Sequence, residues 1–404
     1  MPRTPSAAST IALNAANFFL AEMAGVILPF LSAYLKQKHW SYSEIGIAAS
    51  MAGLGTLLFQ LPAGVISDRM PWRRVLLAAT SLTLGLCYSI LPAIADNVVL
   101  VNIVLFVSGA AGAFFVPLLA TLALSLAGHD RFDRTMGMNQ CWNHGGNIAS
   151  ALLALMLVKY TGIASVFFVT GIISILAALS LYFIRRKELD PNISGEKGVT
   201  DFQDTHELMQ HIRGLLKDKT ILALVLSVAL FHLANAPIMP LVGLYLKHLG
   251  SGDDKVAWVV LVAQAVMVPV AYLAGRYCTS RGRKPVFAIA FLVLPVRIIL
   301  YTLTTDPTLL LAIQTLDGIG AGIYGVVICL MCGDLTRGKG AFNTLLAVMQ
   351  TALAAGSVAG PLAQGFITEH LGFPATFACF AAVALLGAIV FLWRVPETQM
   401  DKQH

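Results

Sequence analysis

Charge is what this sequence has least of. Only 12% of its 404 residues are Asp, Glu, Lys or Arg, against roughly 25% in soluble globular chains. With 57% hydrophobic residues, a soluble domain could not cover its own surface, so that class is excluded. The alternating segments of ~10 residues that build a transmembrane barrel are absent. Cysteine is scarce as well: Cys87, Cys141, Cys278, Cys329, Cys332 and Cys379 are the only six. Most lie in or at the ends of apolar runs, so no disulfide framework is expected. Cys329-x-x-Cys332 has a redox or metal spacing but no second pair, and it reads as small apolar side chains in a helix. No cleavable signal pattern opens the chain, because the first apolar run continues to Tyr34 with polar residues inside it. No nucleotide-binding loop, paired catalytic carboxylates or nucleophile elbow appears. An enzyme would need convergent reactive groups in a solvent-reached site, and a sensor a larger soluble domain. Neither is visible, no cofactor is expected, and nothing argues for nucleic acid.

What is present is apolar length. Val75–Ala95, Val98–Ala127, Ile221–Leu246 and Ala375–Trp393 each reach about the 20 residues that cross a bilayer core as a helix. Lipid offers the backbone no hydrogen-bond partners, so helices follow. Twelve spans are expected at about 9–35, 42–66, 75–95, 98–126, 137–158, 163–184, 220–246, 256–278, 286–304, 308–333, 341–366 and 373–394. An even number puts both termini on one side. Of the 27 Lys and Arg, 21 fall in the terminal segments and the loops of that side, five on the other, and Arg297 within a span. That asymmetry explains the formal charge of +6 and predicts cytoplasmic termini. The chain thus reads as a multi-pass protein of a bacterial inner membrane, embedded in lipid and expected to be monomeric.

Three regions are expected: a six-helix bundle over 1–184, a cytoplasmic linker over 185–219, and a second six-helix bundle over 220–404. Within the linker, Leu208, Met209, Ile212, Leu215 and Leu216 recur at helical spacing, which fits a short helix lying on the membrane surface. An internal repeat supports the halving. Leu28-Pro-Phe-Leu-Ser-Ala-Tyr-Leu-Lys36 aligns with Met239-Pro-Leu-Val-Gly-Leu-Tyr-Leu-Lys247 at an offset of 211, which also aligns Gly64 with Gly275 and Arg73 with Lys284. Six-plus-six repeats place a substrate site near the midplane between the halves.

The loop after span two reads Gly64-Val-Ile-Ser-Asp68-Arg69-Met-Pro-Trp-Arg73-Arg74. Its counterpart is Gly275-Arg-Tyr-Cys-Thr279-Ser-Arg281-Gly282-Arg283-Lys284. The first copy resembles the G-x-x-x-D-R-x-G-R-R/K signature of the major facilitator superfamily, with Pro71 at the second glycine and Trp72 at an arginine. The second copy keeps the glycine and the basic pair but has Thr279 for the aspartate. The resemblance covers the whole chain. It implies an all-α fold of twelve transmembrane helices in two pseudo-symmetric bundles, and secondary transport by alternating access. It also implies a cytoplasmic gate built from Gly64, Asp68, Arg69, Arg73, Arg74, Gly275, Gly282, Arg283 and Lys284. Physically, Gly64 would let two helices approach closely, and Asp68 would sit at the positive end of a helix dipole. The arginines would hold Asp68 or a neighbouring helix end; the plainer alternative is that they only set topology.

Some features depart from subgroups of that family. Span four, Leu105-Phe-Val-Ser-Gly109, lacks the intramembrane arginine of many proton-coupled members. Span five lacks the G-x-x-x-G-P pattern of drug antiporters, although Gly356-x-x-x-Gly360-Pro361 occurs in span eleven. Pro396-Glu397-Thr398 is similar to a sugar-porter ending over three residues only.

Ionisable side chains inside a bilayer cost roughly 2.5–3.5 kcal/mol each on insertion scales, so each needs a reason. Glu22 falls near the middle of span one and shares a broad face with Asn14, Asn17, Gly25 and Ser32. A carboxyl group there can load and release a proton or bind substrate; bonding to a neighbouring helix is the alternative. Asp317 and Arg297 lie near mid-depth of consecutive spans and invite a salt bridge, structural or functional. Span five carries Asn139, Gln140, Asn143, His144 and Asn147, too many polar groups to face lipid. They either line a cavity or bond between helices, and His144 can change charge near neutral pH. Span seven reads Phe231-His232-Leu-Ala-Asn235-Ala-Pro237-Ile-Met-Pro240, whose prolines predict a broken helix with freed carbonyls. His232 is a candidate ligand or proton site there, and Asn235 a candidate residue of the same cavity. Metal binding by Glu22, His144 and His232 is a sharper rival that spacing does not support.

The sequence therefore predicts a secondary transporter of a small organic solute. It would be coupled to the proton gradient through Glu22 and would export a lipophilic or cationic compound. The alternative is a proton-coupled importer of a metabolite or siderophore-like ligand that uses the amides of span five. A membrane-embedded enzyme or sensor fits least.

Overall fold

A computed structural model describes residues 5–25, 27–69, 72–127, 132–189, 205–336 and 342–399, and those residues form helices and turns without a strand. The chain divides into two compact units, Met1–Glu196 and Lys197–His404.

In the first unit, span one is made of α1 (Ala7–Gly25) and α2 (Ile27–Gln37), and span two of α3 (Tyr42–Arg69). Span three is α4 (Arg73–Ile94), span four α5 (Val98–Gly112) with α6 (Phe115–Ala127), span five α7 (Phe132–Thr161) and span six α8 (Ala164–Tyr182). Asn97 starts α5 by accepting the Leu100 backbone N–H at 3.0 Å, a side-chain N-cap. Span four turns at Ala113–Phe114 because Pro117 has no N–H to return to the Ala113 carbonyl.

In the second unit, α9 (Thr205–Leu216) precedes α10 (Lys219–Asn235) and α11 (Ile238–His248), which together form span seven. Then come α12 (Asp253–Arg281), α13 (Arg283–Leu300) and α14 (Pro307–Leu335) as spans eight to ten. The last helix, α15 (Phe342–Arg394), turns at Gly372 with φ 78° and so supplies spans eleven and twelve. The twelve expected spans are all present, and α9 occupies the second part of the expected linker. Residues 190–204 of that linker lie outside the described residues.

Span seven is interrupted at Ala236–Pro237. The sequence predicts this break from its prolines.

Eight described segments are long and apolar enough to cross a membrane by length and composition. The α1, α7 and α13 helices fall outside that set; they hold Glu22, the amide run and Arg297.

Within each unit, glycine decides which helices touch. A Cβ at Gly55 would strike the Phe106 carbonyl, and one at Gly109 would strike the Ala52 carbonyl. The α3 and α5 backbones therefore lie directly against each other. In the second unit, α12 meets α14 where a Cβ at Gly318 would come within 3.0 Å of the Met267 nitrogen. Gly64, expected to allow a close approach, has nothing within 4 Å of its Cβ position among the described residues. The close contact of α3 is made instead nine residues earlier, at Gly55.

Candidate functional site

In the first unit the candidate residues gather on α1 and α7. A Cβ at Gly146 would clash with the Phe18 carbonyl, and Ser150 donates its hydroxyl to the Glu22 carbonyl at 2.7 Å. These two contacts bring the α7 face that carries Asn139, Asn143, Gly146 and Ser150 against α1. Glu22 is buried, and its carboxylate has no hydrogen bond or ion pair among the described residues. Asn17 is buried but turned back on its own helix, donating to the Leu13 carbonyl at 3.0 Å. Asn147 donates to Asn143 at 3.3 Å, one helical turn apart. Asn139 is buried with neither amide atom hydrogen-bonded, and the His144 Nδ1 atom is buried without a partner as well. Unpaired polar atoms out of water are costly and call for a ligand or water. Gln140 lies on α7, but its side chain is outside the described residues.

In the second unit, Arg297 of α13 is the hub. One guanidinium nitrogen pairs with Asp317 of α14, and the other donates to the Asn235 amide oxygen at 2.7 Å. Arg297 and Asp317 are buried and Asn235 is half-buried. Asn235, a candidate residue of the substrate cavity, has its oxygen bonded to Arg297. Next to this triad, Tyr301 donates to Gln314 at 3.0 Å, a pair the sequence reading missed. The signal was present, since Tyr301 follows Arg297 by four residues and Gln314 precedes Asp317 by three, so both pairs share facing helix stripes. His232 is buried with its Nε2 unpartnered and its ring perpendicular to Tyr324, centroids 4.6 Å apart. The Gly356-x-x-x-Gly360-Pro361 pattern seats α15 on this region. A Cβ at Gly356 would lie 2.7 Å from the His232 carbonyl carbon, and one at Gly360 2.9 Å from the Leu233 oxygen. Among the described residues no three His, Cys, Asp or Glu side chains gather to hold a metal ion.

The basic loops carry out matched tasks. Arg73 donates to the Ser67 carbonyl at 3.0 Å, closing the end of span two, while Arg74 donates to the Tyr182 and Ile184 carbonyls at the end of span six. In the second unit, Arg283 donates to the Cys278 carbonyl at 2.9 Å, and Lys284 to the Leu392 carbonyl, also at 2.9 Å, near the end of span twelve. Cations at helix C-termini satisfy the orphan carbonyls and the negative dipole end. By role, Arg73 thus matches Arg283 and Arg74 matches Lys284, one residue off the offset of 211, because the second loop is one residue shorter. Asp68 and Arg69 end α3, with side chains outside the described residues, as is that of Thr279. Gly282 takes a φ of 95°, the left-handed turn that separates α12 from α13. Among the described residues, the nearest atom to a Cβ at Gly275 would be in the Val326 side chain, at 3.9 Å.

Three acidic residues around these loops and termini were not foreseen. Asp334 of α14 pairs with Arg283 at 3.1 Å. Glu397 accepts the backbone N–H groups of Arg283 and Lys284 at 2.9 and 3.0 Å, capping α13. Burial pushes the Glu397 carboxyl up, but the N–H donors of Gln399, Arg283, Lys284 and Thr398 outweigh that and hold it below the ordinary carboxylate value. Glu188 accepts the Ser6 N–H at 3.0 Å and the Ser6 hydroxyl at 2.9 Å at the start of α1, which holds its carboxyl low too.

The description "Major Facilitator Superfamily" belongs to a family model that matches residues 11–250 and again 224–403. The chain belongs to the major facilitator superfamily. It is 32% identical to an uncharacterised MFS-type transporter of Mycobacterium tuberculosis (strain ATCC 25618 / H37Rv), over 96% of this chain and 93% of that relative. It is 22% identical to the multidrug resistance protein MdtG of Dickeya zeae (strain Ech586), over 92% of this chain and 90% of that protein. Among solved structures, the nucleoside transporter NupG superposes with a TM-score of 0.78 at 14% identity, over 95% of this chain and 98% of that one. A D-xylose-proton symporter superposes with a TM-score of 0.72 at 15% identity, over 96% and 98%. As a member of this superfamily, the chain is a membrane transporter of small molecules.

Proposed function

We propose that this transporter is proton-coupled and exports lipophilic or cationic compounds across a bacterial inner membrane, with both termini in the cytoplasm. The observation that carries the reading is Glu22, a buried carboxylate unpaired among the described residues. Asp317, the other carboxylate expected at mid-depth, is neutralised by Arg297 and is unsuited to carrying protons. A single exchangeable carboxyl group suits a cycle in which proton and cationic cargo compete for one site. The name of the MdtG relative supports the direction. The concentration of Lys and Arg on one side supports the orientation.

Inverted membrane vesicles provide the test. Uptake of a lipophilic cation driven by an inside-acid gradient, and lost in Glu22→Gln, supports the reading. Uptake that is full in Glu22→Gln overturns the coupling role. Import is the second reading, favoured by the unpartnered amide of Asn139 and by the naming of one structural neighbour as a proton symporter. It predicts solute accumulation in right-side-out vesicles instead.

A further inference from the structure

We propose that the groove between α12 and α13 holds an acyl chain of an anionic phospholipid, with the lipid phosphate on Arg281. A cavity of about 600 Å³ opens there, walled by Val270, Ala274, Tyr277 and Arg281 of α12 and Ile289 of α13, with Ile323 of α14 at its base. The groove exists because the two helices are drawn apart. Gly318 and Gly322 let the α12 backbone settle onto α14 around Ala263 and Met267. Phe287 and Phe291 of α13 also pack on Phe391 of α15, with centroids 5.3 and 4.4 Å apart. The left-handed turn at Gly282 joins two helices that both rest on α14, with α13 leaning on α15 as well.

The groove has the dimensions and polarity of one lipid leaflet. From Val270 to Arg281 is eleven residues of helix, about 16 Å at 1.5 Å per residue, close to half of a ~30 Å hydrocarbon core. Its walls are apolar along that length, and both polar groups, the Tyr277 hydroxyl and the Arg281 guanidinium, sit at the end beside the basic loop. Tyr277 is 51% exposed and Ile289 48% exposed, so the groove is open to its surroundings. Arg281 is exposed and makes no hydrogen bond or ion pair among the described residues, whereas Arg283 and Lys284 beside it are engaged. A water-soluble anion would gain only Arg281, and a zwitterionic lipid would bring its own cation to the same place. An anionic lipid matches both the apolar walls and the Arg281 guanidinium at their end.

The test uses purified, delipidated full-length protein in detergent, titrated with dioleoyl phosphatidylglycerol, phosphatidylcholine or glycerol phosphate and read by native mass spectrometry. Phosphatidylglycerol should bind preferentially and glycerol phosphate not at all. Arg281→Gln should lower phosphatidylglycerol affinity roughly fivefold and leave phosphatidylcholine unchanged, with Arg281→Lys keeping the preference. Ala274→Phe, which fills the groove, should weaken both lipids; Ile289→Trp at the mouth serves the same purpose if that variant does not fold. Equal binding of the two lipids by the unaltered protein overturns the proposal. So does phosphatidylglycerol binding that survives both Arg281→Gln and groove filling, or binding of glycerol phosphate as strong as that of the lipid.

Discussion

The Arg297 guanidinium pairs with the Asp317 carboxylate inside the second bundle, and its other arm is taken by Asn235. A buried pair of this kind adds little net stability, but breaking it leaves an uncompensated charge that costs roughly 3–5 kcal/mol. Arg297→Gln and Asp317→Asn are each expected to lower the thermal unfolding temperature of the purified protein sharply. The double variant should recover most of the loss. Single variants that melt like the unaltered protein would show that the pair does not bear on stability.

The glycine contacts make a second, graded expectation. Gly318→Leu must push α12 away from α14, and Gly356→Leu must push α15 from the His232–Leu233 backbone. Overpacking of this kind costs typically about 1–3 kcal/mol. Gly64→Ala meets nothing within 4 Å among the described residues and should leave the melting temperature unchanged. Transport and melting measured on the same samples separate the two: a Gly64→Ala defect confined to transport points to the moving protein rather than to this packing.

Glu397 gives the pH dependence. Its carboxyl is held below the ordinary value, so the folded protein binds that proton more weakly than the unfolded chain. The stabilisation is therefore present at neutral pH and disappears as pH falls through the folded value. Glu397→Ala removes a helix cap, worth about 1 kcal/mol. The gap in melting temperature between variant and unaltered protein should be widest near pH 7 and close in acid. A gap that stays constant from pH 7 to pH 3 contradicts this role.

Much of the fold was legible in the sequence because apolar length and charge asymmetry are strong, local signals. The Arg297–Asp317 pair was legible too, since two opposite charges at similar depth on consecutive helices have few other partners. The Asn235–Arg297 contact was not legible, because the partner lies 62 residues away on another helix and nothing local marks it. Glu397 was passed over for the same reason: it caps a helix that begins 114 residues earlier. The loop register slipped by one, because an offset fixed on span one does not register a residue missing between Cys278 and Arg283. The turn in span four was missed because Pro117 is a single proline, whereas Pro237 and Pro240 mark span seven twice.

The interruption of span seven has a consequence for how its chemistry can be altered. Pro237 and Pro240 supply no N–H to the Leu233 and Ala236 carbonyls, so these two oxygens stay unclaimed by the helix whatever the surrounding side chains are. They neither titrate nor respond to alanine scanning, and a partial negative charge persists there at every pH. Pro237→Ala with Pro240→Ala would knit the segment into one continuous rod, and hydrogen exchange at 233–241 should then slow. Transport that survives such stiffening would mean that the gap serves assembly of the bundle rather than passage of the cargo.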